Sequence, residues 1–270
     1  MRSRYGYTLY SADEFDKWLQ ETRFNRAIHL IQNHHTWLPA YGNFTGNNHF
    51  DLLRGMELSH RERGFSEIAQ NVTTFPDGTV AVCRPFDHVP AGIKGANSNG
   101  ICIEHLGNFD QGKDLPSDPH RETIIRVNAL LCREFSLTPS TATIVYHHWY
   151  DLVTGVRTDG KGTTKSCPGT AFFGGNTVAT AAEQFIPLVL AACSACVPAT
   201  NPSASADGEA AIVTANALNV RSATTAEAPL VAVLQRGAMV GVYERQRGWC
   251  RIHPRDQHWV SGKYLSFQNR

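Results

Sequence analysis

Short apolar runs and longer stretches with helical spacing alternate along the first 197 residues. The apolar runs have the length and β-branched content of buried strands, and they occupy residues 27–33, 79–83, 99–106 and 143–149. The Pro-Asp-Gly turn within residues 75–78 makes the second run one arm of a hairpin. Two of the four runs deliver a pair of histidines at their carboxyl end, so we expect imidazole groups at one edge of a sheet.

Helical spacing begins at three places between these runs. Residues 11–14 match a capping box, with apolar side chains following on one helical face. Asp118 followed by Pro119 is typical of a helix start. We expect residues 178–190 to form a further helix, kinked or broken near Pro187. Strands interleaved with helices predict an α/β domain, with a mixed central sheet flanked by helices.

The remainder of the chain has a different pattern. Residues 198–210 are small and polar and include proline, so we place a flexible linker at 198–211 between domains 1–197 and 212–270. Beyond the linker, apolar runs of four or five residues alternate with glycine-containing or polar turns, without helical periodicity. This pattern predicts a small all-β barrel.

Composition excludes several classes of partner. The chain has 25 Lys and Arg against 24 Asp and Glu, which gives no electrostatic argument for nucleic acid or an anionic membrane surface. No window approaches the ~18–20 apolar residues of a membrane span. The first residues lack the apolar stretch of a secretory signal peptide, so we expect none. The seven cysteines are mostly scattered, as reduced and buried thiols are. Cys193 and Cys196 have the spacing of a redox motif or half a zinc site, but we favour a buried helix end.

Three distant motifs carry candidate chemistry. They are the pair His34-His35, the pair His147-His148, and Cys167 followed by Pro-Gly. Two imidazoles and one thiolate can hold a zinc ion that keeps an open position for water, and such a site is hydrolytic. Since neighbouring residues of a strand point to opposite faces, only one histidine of each pair can reach a shared metal.

The order of these motifs resembles the zinc-dependent N-acetylmuramoyl-L-alanine amidases of the type-2 family, which are related to peptidoglycan recognition proteins. The resemblance covers about residues 26–173 and includes the segments 64–70, 75–80 and 101–110, the last ending in Gly-Asn-Phe-Asp. It implies hydrolysis of the amide between the lactyl group of N-acetylmuramic acid and L-Ala, with peptidoglycan as substrate and Zn²⁺ as cofactor.

Carried over by position, the resemblance assigns the zinc ligands to His34, His147 and Cys167. The segment between the second histidine pair and the cysteine is longer here than in many relatives, which leaves His148 open as an alternative to His147. Glu104 corresponds to a glutamate that faces the zinc water in part of the family. Its carboxylate would accept a proton from water and pass it to the leaving amine, with a structural ion pair as the alternative.

Lys165 lies two residues before Cys167, where many members keep a basic residue. Its ammonium would stabilise the oxyanion, with a solvated loop charge as the alternative. Gln70 stands where some relatives use a tyrosine, which gives Glu104 more weight. We expect Trp37, Lys94 and Asn97 to contact the sugar or the stem peptide. The alternatives are packing for the tryptophan and a plain surface loop for residues 91–97.

The tail resembles a bacterial SH3-like domain over most of residues 212–267, a module that often binds cell-wall peptides. Trp249, Trp259 and Tyr264 form either an aromatic binding surface or the barrel core, and we favour the core. The main alternative function is a non-catalytic peptidoglycan-binding receptor, although recognition members typically lose the cysteine ligand that Cys167 supplies here. Without a signal peptide, an enzyme acting on the bacterial wall would be exported by phage lysis, as endolysins are, or by a dedicated route.

Overall fold

The computed structural model describes residues 2–195, 209–253 and 256–267. The chain divides into two compact units, Met1–Pro198 and Ala199–Arg270. Most of the linker predicted at 198–211 lies outside the described residues, as does Cys196 of the Cys-x-x-Cys pair. The domain bounds given above therefore stay predictions.

One mixed sheet organises the larger unit. Its strands run in the order β1-β2-β5-β4-β6-β3-β7. Strands β4, β6, β3 and β7 are parallel, whereas β1, β2 and β5 are antiparallel to their neighbours. The bounds are β1 (Arg2–Arg4), β2 (Tyr7–Tyr10), β3 (Leu30–His35), β4 (Val72–Thr74), β5 (Val80–Val82), β6 (Gly100–His105) and β7 (Ile144–Tyr146). The mixed α/β fold expected from the sequence is confirmed.

The helices differ from the predicted ones in three details. Their bounds are α1 (Ala12–Glu21), α2 (His49–Glu62), α3 (Asp118–Glu134), α4 (Val178–Thr180) and α5 (Ile186–Ala195). The capping box at Ser11 and Glu14 is formed, but the N-cap of α3 is Ser117 rather than Asp118, because the serine hydroxyl accepts from the backbone N–H of His120. The helix is not broken at Pro187; instead, a π-helical turn over Ala181–Phe185 joins α4 to α5. Helix α2 has no counterpart in the sequence-based prediction.

Strand β7 is shorter than predicted. It ends at Tyr146, and the residues His147–Trp149 form a 3₁₀ turn instead of continuing the strand. The second histidine pair therefore lies on a turn, so the strand alternation expected for it does not apply.

Two hydrophobic clusters cover opposite faces of the sheet. Neighbouring residues of β2, Leu9 and Tyr10, belong to different clusters, as do Val80 and Ala81 of β5. Because successive side chains of a strand point to opposite faces, the two clusters lie on either side of the sheet. Helices α1 and α3 contribute to the larger cluster. Helix α2 contributes to the smaller one, so it lies on the other face.

The tail unit is all β, as expected. One antiparallel sheet has the order β10-β9-β14-β13-β12 and the other β11-β8-β15. The strands are β8 (Glu209–Val213), β9 (Ala217–Arg221), β10 (Leu230–Gln235), β11 (Met239–Val242), β12 (Glu244–Gln246), β13 (Trp249–Arg251), β14 (Trp259–Ser261) and β15 (Leu265–Phe267). Trp259 is buried, Trp249 is half-buried, and Tyr264 is 38% exposed, so only the first of these aromatic residues is fully internal.

Candidate active site

Three side chains from separate segments converge at the carboxyl ends of adjacent parallel strands. His34 lies near the end of β3, His147 directly follows β7, and Cys167 belongs to a later loop. All three are buried, and one ligand atom from each lies within 4.8 Å of the others. His34 Nδ1 and His147 Nδ1 are 3.2 Å apart. Two nitrogen ligands of a tetrahedral zinc ion, each at 2.0–2.1 Å, would lie about 3.3 Å apart, so the spacing fits.

The chemistry of these groups also fits a cation. Burial lowers the pKa of His147 to about 3 and that of His34 well below its usual value, with smaller contributions from nearby positive charge. Both rings are therefore neutral, which is the form that binds metal. Burial raises the pKa of the Cys167 thiol, so the thiolate needs a cation beside it. His34 Nε2 and Glu104 Oε2 have no hydrogen-bond partner among the described residues, although both atoms are buried.

The other histidine of each pair is held elsewhere. His35 points to the opposite face of β3, and its Nδ1 accepts a hydrogen bond of 3.1 Å from the backbone N–H of Phe109. His148 donates from Nδ1 to the carbonyl oxygen of Lys165 at 2.6 Å. The structure thus brings His147, rather than His148, to the other two candidate ligands.

Glu104 stands beside His34 in the sheet. The two residues are register partners on the parallel strands β6 and β3, and Glu104 Oε1 is 3.9 Å from His34 Nδ1. The carboxylate side chain is only 18% exposed. Burial raises the pKa of Glu104 to about 8, while the positive charges of Lys165 and Arg63 act in the opposite direction. This is a carboxyl group that can exchange a proton near neutral pH.

A groove of about 940 Å³ opens over these groups. Its lining includes the segment 34–39, the α2 residues Leu52, Gly55 and Met56, and the side chains of Glu104 and Lys165. Two charged side chains of opposite sign, Asp51 and Arg63, line it as well. The groove is therefore open and of mixed polarity, as an extended polar substrate requires.

Trp37 also belongs to the lining of this groove. Its side chain is 59% exposed, and its φ of 58° lies in the left-handed region, which costs a bulky residue about 1–3 kcal/mol. The backbone is held there because the N–H of Trp37 donates to the carbonyl of Gly107 at 3.0 Å and that of Thr36 to His105. An exposed indole held in this way is available for contact with a ligand.

Lys94 and Asn97 are not brought to the groove. Lys94 is exposed and donates from Nζ to the carbonyl oxygen of Val153, in the loop that follows the 3₁₀ turn. Asn97 Oδ1 accepts from the backbone N–H groups of Gly92 and Ile93, at 3.0 and 2.9 Å. Neither residue is part of the groove lining described above. The Asn97 side chain instead fixes the backbone of its own loop.

The loop between His147 and Cys167 closes on itself at its base. Asp151 Oδ1 accepts from the backbone N–H groups of Val153 and Thr154, and its Oδ2 accepts from that of Thr163 at 3.0 Å. The backbone N–H of Leu152 donates to the carbonyl of Thr163 at 2.8 Å. Residues 151–163 therefore form a ring fastened by one carboxylate, and the ring ends before the cysteine.

A buried chain of hydrogen bonds supports the sheet below the site. Its contacts run from Asn33 to His105 (2.9 Å), from His105 to Thr74 (2.8 Å), from Thr74 to His120 (2.8 Å) and from His120 to Tyr41 (2.7 Å). At one end the backbone N–H of Ser117 donates to the Tyr41 hydroxyl, and at the other the Asn128 amide donates to Asn33 Oδ1.

These two fixed donors set the direction of every bond between them. His105 donates from Nε2 and accepts at Nδ1, Thr74 donates to that nitrogen, and His120 donates to Thr74 while accepting from Tyr41. Each ring is neutral with its proton on Nε2, and one chain joins α3, β4, β6 and β3 next to His34. Sequence reasoning missed this chain, because its members are spread from residue 33 to residue 128.

The fold and the site define a class of protein: an α/β domain with a His-His-Cys cluster at the floor of a groove, followed by a small β domain. A family model described as N-acetylmuramoyl-L-alanine amidase matches residues 24–170, which is more than half of the chain. The chain belongs to this family, and its activity class is peptidoglycan-related hydrolysis or binding. A bacterial SH3 domain model matches residues 216–266.

Solved structures with similar folds were also found. The amidase LysC from Clostridium intestinale URNW is 22% identical with a TM-score of 0.41, over 56% of this chain and 82% of that one. Drosophila PGRP-LB is 19% identical with a TM-score of 0.45, over 59% and 82%. Drosophila PGRP-SA is 20% identical with a TM-score of 0.45, over 61% and 83%. A comparison with curated proteins gave no match.

The remaining expectations concern membranes and thiols. Within the described ranges, the helices are too short or too polar to cross a bilayer. The six described cysteines are free thiols, and five of them are buried, as the scattered pattern predicts.

Proposed function

We propose that this protein is a zinc-dependent N-acetylmuramoyl-L-alanine amidase that cleaves the bond between the lactyl group of N-acetylmuramic acid and L-Ala of the stem peptide. The observation that carries the proposal is the convergence of His34, His147 and Cys167 within 4.8 Å, with Glu104 beside them and a groove above. These three residues would hold the metal. Bound zinc would supply Lewis acidity, which lowers the pKa of water and polarises the scissile carbonyl.

The chain's own residues would perform the proton transfers. Glu104, as carboxylate, takes a proton from the attacking water while the water oxygen bonds to the lactyl carbonyl carbon. The same carboxyl group then gives the proton to the nitrogen of L-Ala as the C–N bond breaks, leaving a lactyl carboxylate and a free amine. The ammonium of Lys165, on the groove lining, stabilises the negative charge that develops on the carbonyl oxygen.

Substrate contact would come from the groove walls. The exposed indole of Trp37 offers an apolar face for the less polar side of a sugar ring, and residues of α2 line the same groove. The tail, residues 212–270, would hold the enzyme on the insoluble wall and so raise its effective concentration there. We infer that the enzyme acts on bacterial cell wall, and a phage lysin or an antibacterial toxin would both use this activity.

The test is digestion of purified peptidoglycan by the full chain, with zinc and after chelation. New L-Ala amino termini that appear only with zinc are the expected result. Cys167→Ala should lose bound zinc and turnover together. Glu104→Gln should keep one zinc in the site while turnover falls by about 10²–10⁴-fold, because only the proton transfer is removed.

Other outcomes would overturn parts of this proposal. Binding to peptidoglycan without release of amino termini would indicate a receptor on the same fold. Full turnover of Cys167→Ala would refute its assignment as a ligand. Cleavage that releases other termini would place the reaction at a different bond.

A further inference from the structure

A second group of metal-binding side chains lies on the tail unit, at the connection between β13 and β14. These strands pair antiparallel, and the backbone N–H of Ile252 donates to the carbonyl of His258 at 2.8 Å, which extends the pairing beyond the strand ends. Among the described residues here, His253, Asp256 and His258 each place one ligand atom within 4.8 Å of the other two.

The contacts within the group are close. His253 Nδ1 is 3.2 Å from Asp256 Oδ2, and the two imidazole rings have centroids 5.2 Å apart. The backbone N–H of Asp256 donates to His253 Nδ1 at 2.8 Å, and that of His258 donates to the carbonyl of Asp256 at 2.9 Å. These bonds bring the backbone of Asp256 against the His253 ring and the backbone of His258. A cation bound at His253 Nδ1 would replace the hydrogen bond from the Asp256 N–H, because a neutral imidazole has a single lone pair.

The donor set indicates which cation would bind. Two imidazoles and one carboxylate are ligands of zinc and of similar transition metals, whereas calcium and magnesium prefer oxygen ligands alone. The side chains of His253 and Asp256 are 40% and 61% exposed, so an ion can reach them from solvent. Arg251 contacts this group, donating to the carbonyl of His253, and its charge is also paired with the Glu244 carboxylate.

We propose that His253, Asp256 and His258 form a second divalent transition-metal site, separate from the amidase centre and lacking a thiolate. An ion held there would join both ends of the connection and stiffen this end of the tail domain. The site does not depend on the proposed catalytic activity, because none of its residues belongs to the larger unit.

The experiment measures metal stoichiometry and spectra on the metal-free full chain. Zn²⁺ bound at equilibrium dialysis is counted for the wild type, for His253→Gln/His258→Gln, and for Asp256→Asn. The control is His29→Gln, which changes an exposed histidine of the other unit. Co²⁺ is then added to each protein, because a thiolate ligand produces a sulfur-to-cobalt charge-transfer band that an imidazole–carboxylate site lacks. Near-ultraviolet circular dichroism checks that each variant is folded.

We expect two equivalents of Zn²⁺ in the wild type and in His29→Gln, and one equivalent in the double variant. The double variant should keep the full sulfur-to-cobalt band, which identifies the lost equivalent as the tail site. Asp256→Asn should weaken the second equivalent and leave the first unchanged. The proposal would be overturned if the wild type bound one equivalent of Zn²⁺, or if the folded double variant still bound two. It would also be overturned if the double variant lost the sulfur-to-cobalt band together with the second equivalent.

Discussion

His120 should make the larger unit sensitive to mild acid. The side chain is fully buried within the hydrogen-bond chain, and burial lowers its pKa to about 3, with small opposing contributions from Thr74 and Asp77. In the unfolded chain the same imidazole has its ordinary pKa of about 6.5. Between these two values the unfolded protein binds a proton that the folded protein cannot, so stability falls as the pH falls.

The size of the effect follows from the two pKa values. Each unit by which the pH falls between about 6.5 and 3 lowers the free energy of unfolding by up to about 1.4 kcal/mol. The contribution of His120 to this free energy therefore drops by about 2 kcal/mol between pH 7 and pH 5. Protonation would also leave His120 Nδ1, which accepts from the Tyr41 hydroxyl, without a lone pair for that bond.

The measurement is urea unfolding of the metal-free full chain at pH 7, 6 and 5, comparing wild type with His120→Gln. Glutamine can donate and accept but does not titrate. We expect the variant to be less stable at pH 7, and the difference from wild type to narrow by about 2 kcal/mol at pH 5. The same substitution at the exposed residue His29 controls for the loss of any histidine. A difference from wild type that stays constant from pH 7 to pH 5 would refute the reasoning.

Three further predictions concern the site and the core. Gly92→Ala should weaken zinc binding by about 10-fold or more, because the new methyl group would lie 2.7 Å from Cys102 Sγ and 3.1 Å from His34 Nε2. Equilibrium dialysis would show this. The control is Gly42→Ala, where a methyl group meets nothing within 4 Å. Equal zinc affinities of Gly92→Ala and the wild type would contradict the expectation. Lys165→Met should lower kcat by about 10²–10³-fold with zinc retained, and a change confined to KM would show that Lys165 only binds substrate. Phe172→Ala should cost about 3–5 kcal/mol in urea unfolding, since the ring is fully buried, and a cost below 1 kcal/mol would be inconsistent with that packing.

The sequence contained most of the local signals of the site. The apolar runs before His34 and around Glu104 predicted strands, and the parallel register then set these two residues side by side. Cys167 was found through its Pro-Gly turn and its place in the family motif. The pattern does not determine whether His147 or His148 lies beside His34 and Cys167. Residues His147–Trp149 form a 3₁₀ turn, and the direction of its side chains depends on tertiary contacts.

The groove was harder to predict than the ligands. Residues of helix α2 line the groove. The sequence of α2 contains a glycine, several charged residues and two histidines, and these obscure the helical spacing of the buried residues Leu53 and Met56. For Lys94 and Asn97 the sequence left two interpretations, contact with the ligand or a plain Gly-rich surface loop. Asn97 instead satisfies backbone N–H groups of its own loop, a local role that composition does not distinguish from binding.

The ring fastened by Asp151 has a practical consequence for protein engineering. Residues inside it can change in number without altering the path of the chain to Cys167, since the carboxylate joins the two ends of the ring. Lys161 and Gly162 lie exposed within it, just before the Thr163 contact that closes the base. A foreign epitope or a fluorophore acceptor peptide inserted between these two residues should leave the catalytic geometry intact, which makes this ring the preferred place to label the enzyme.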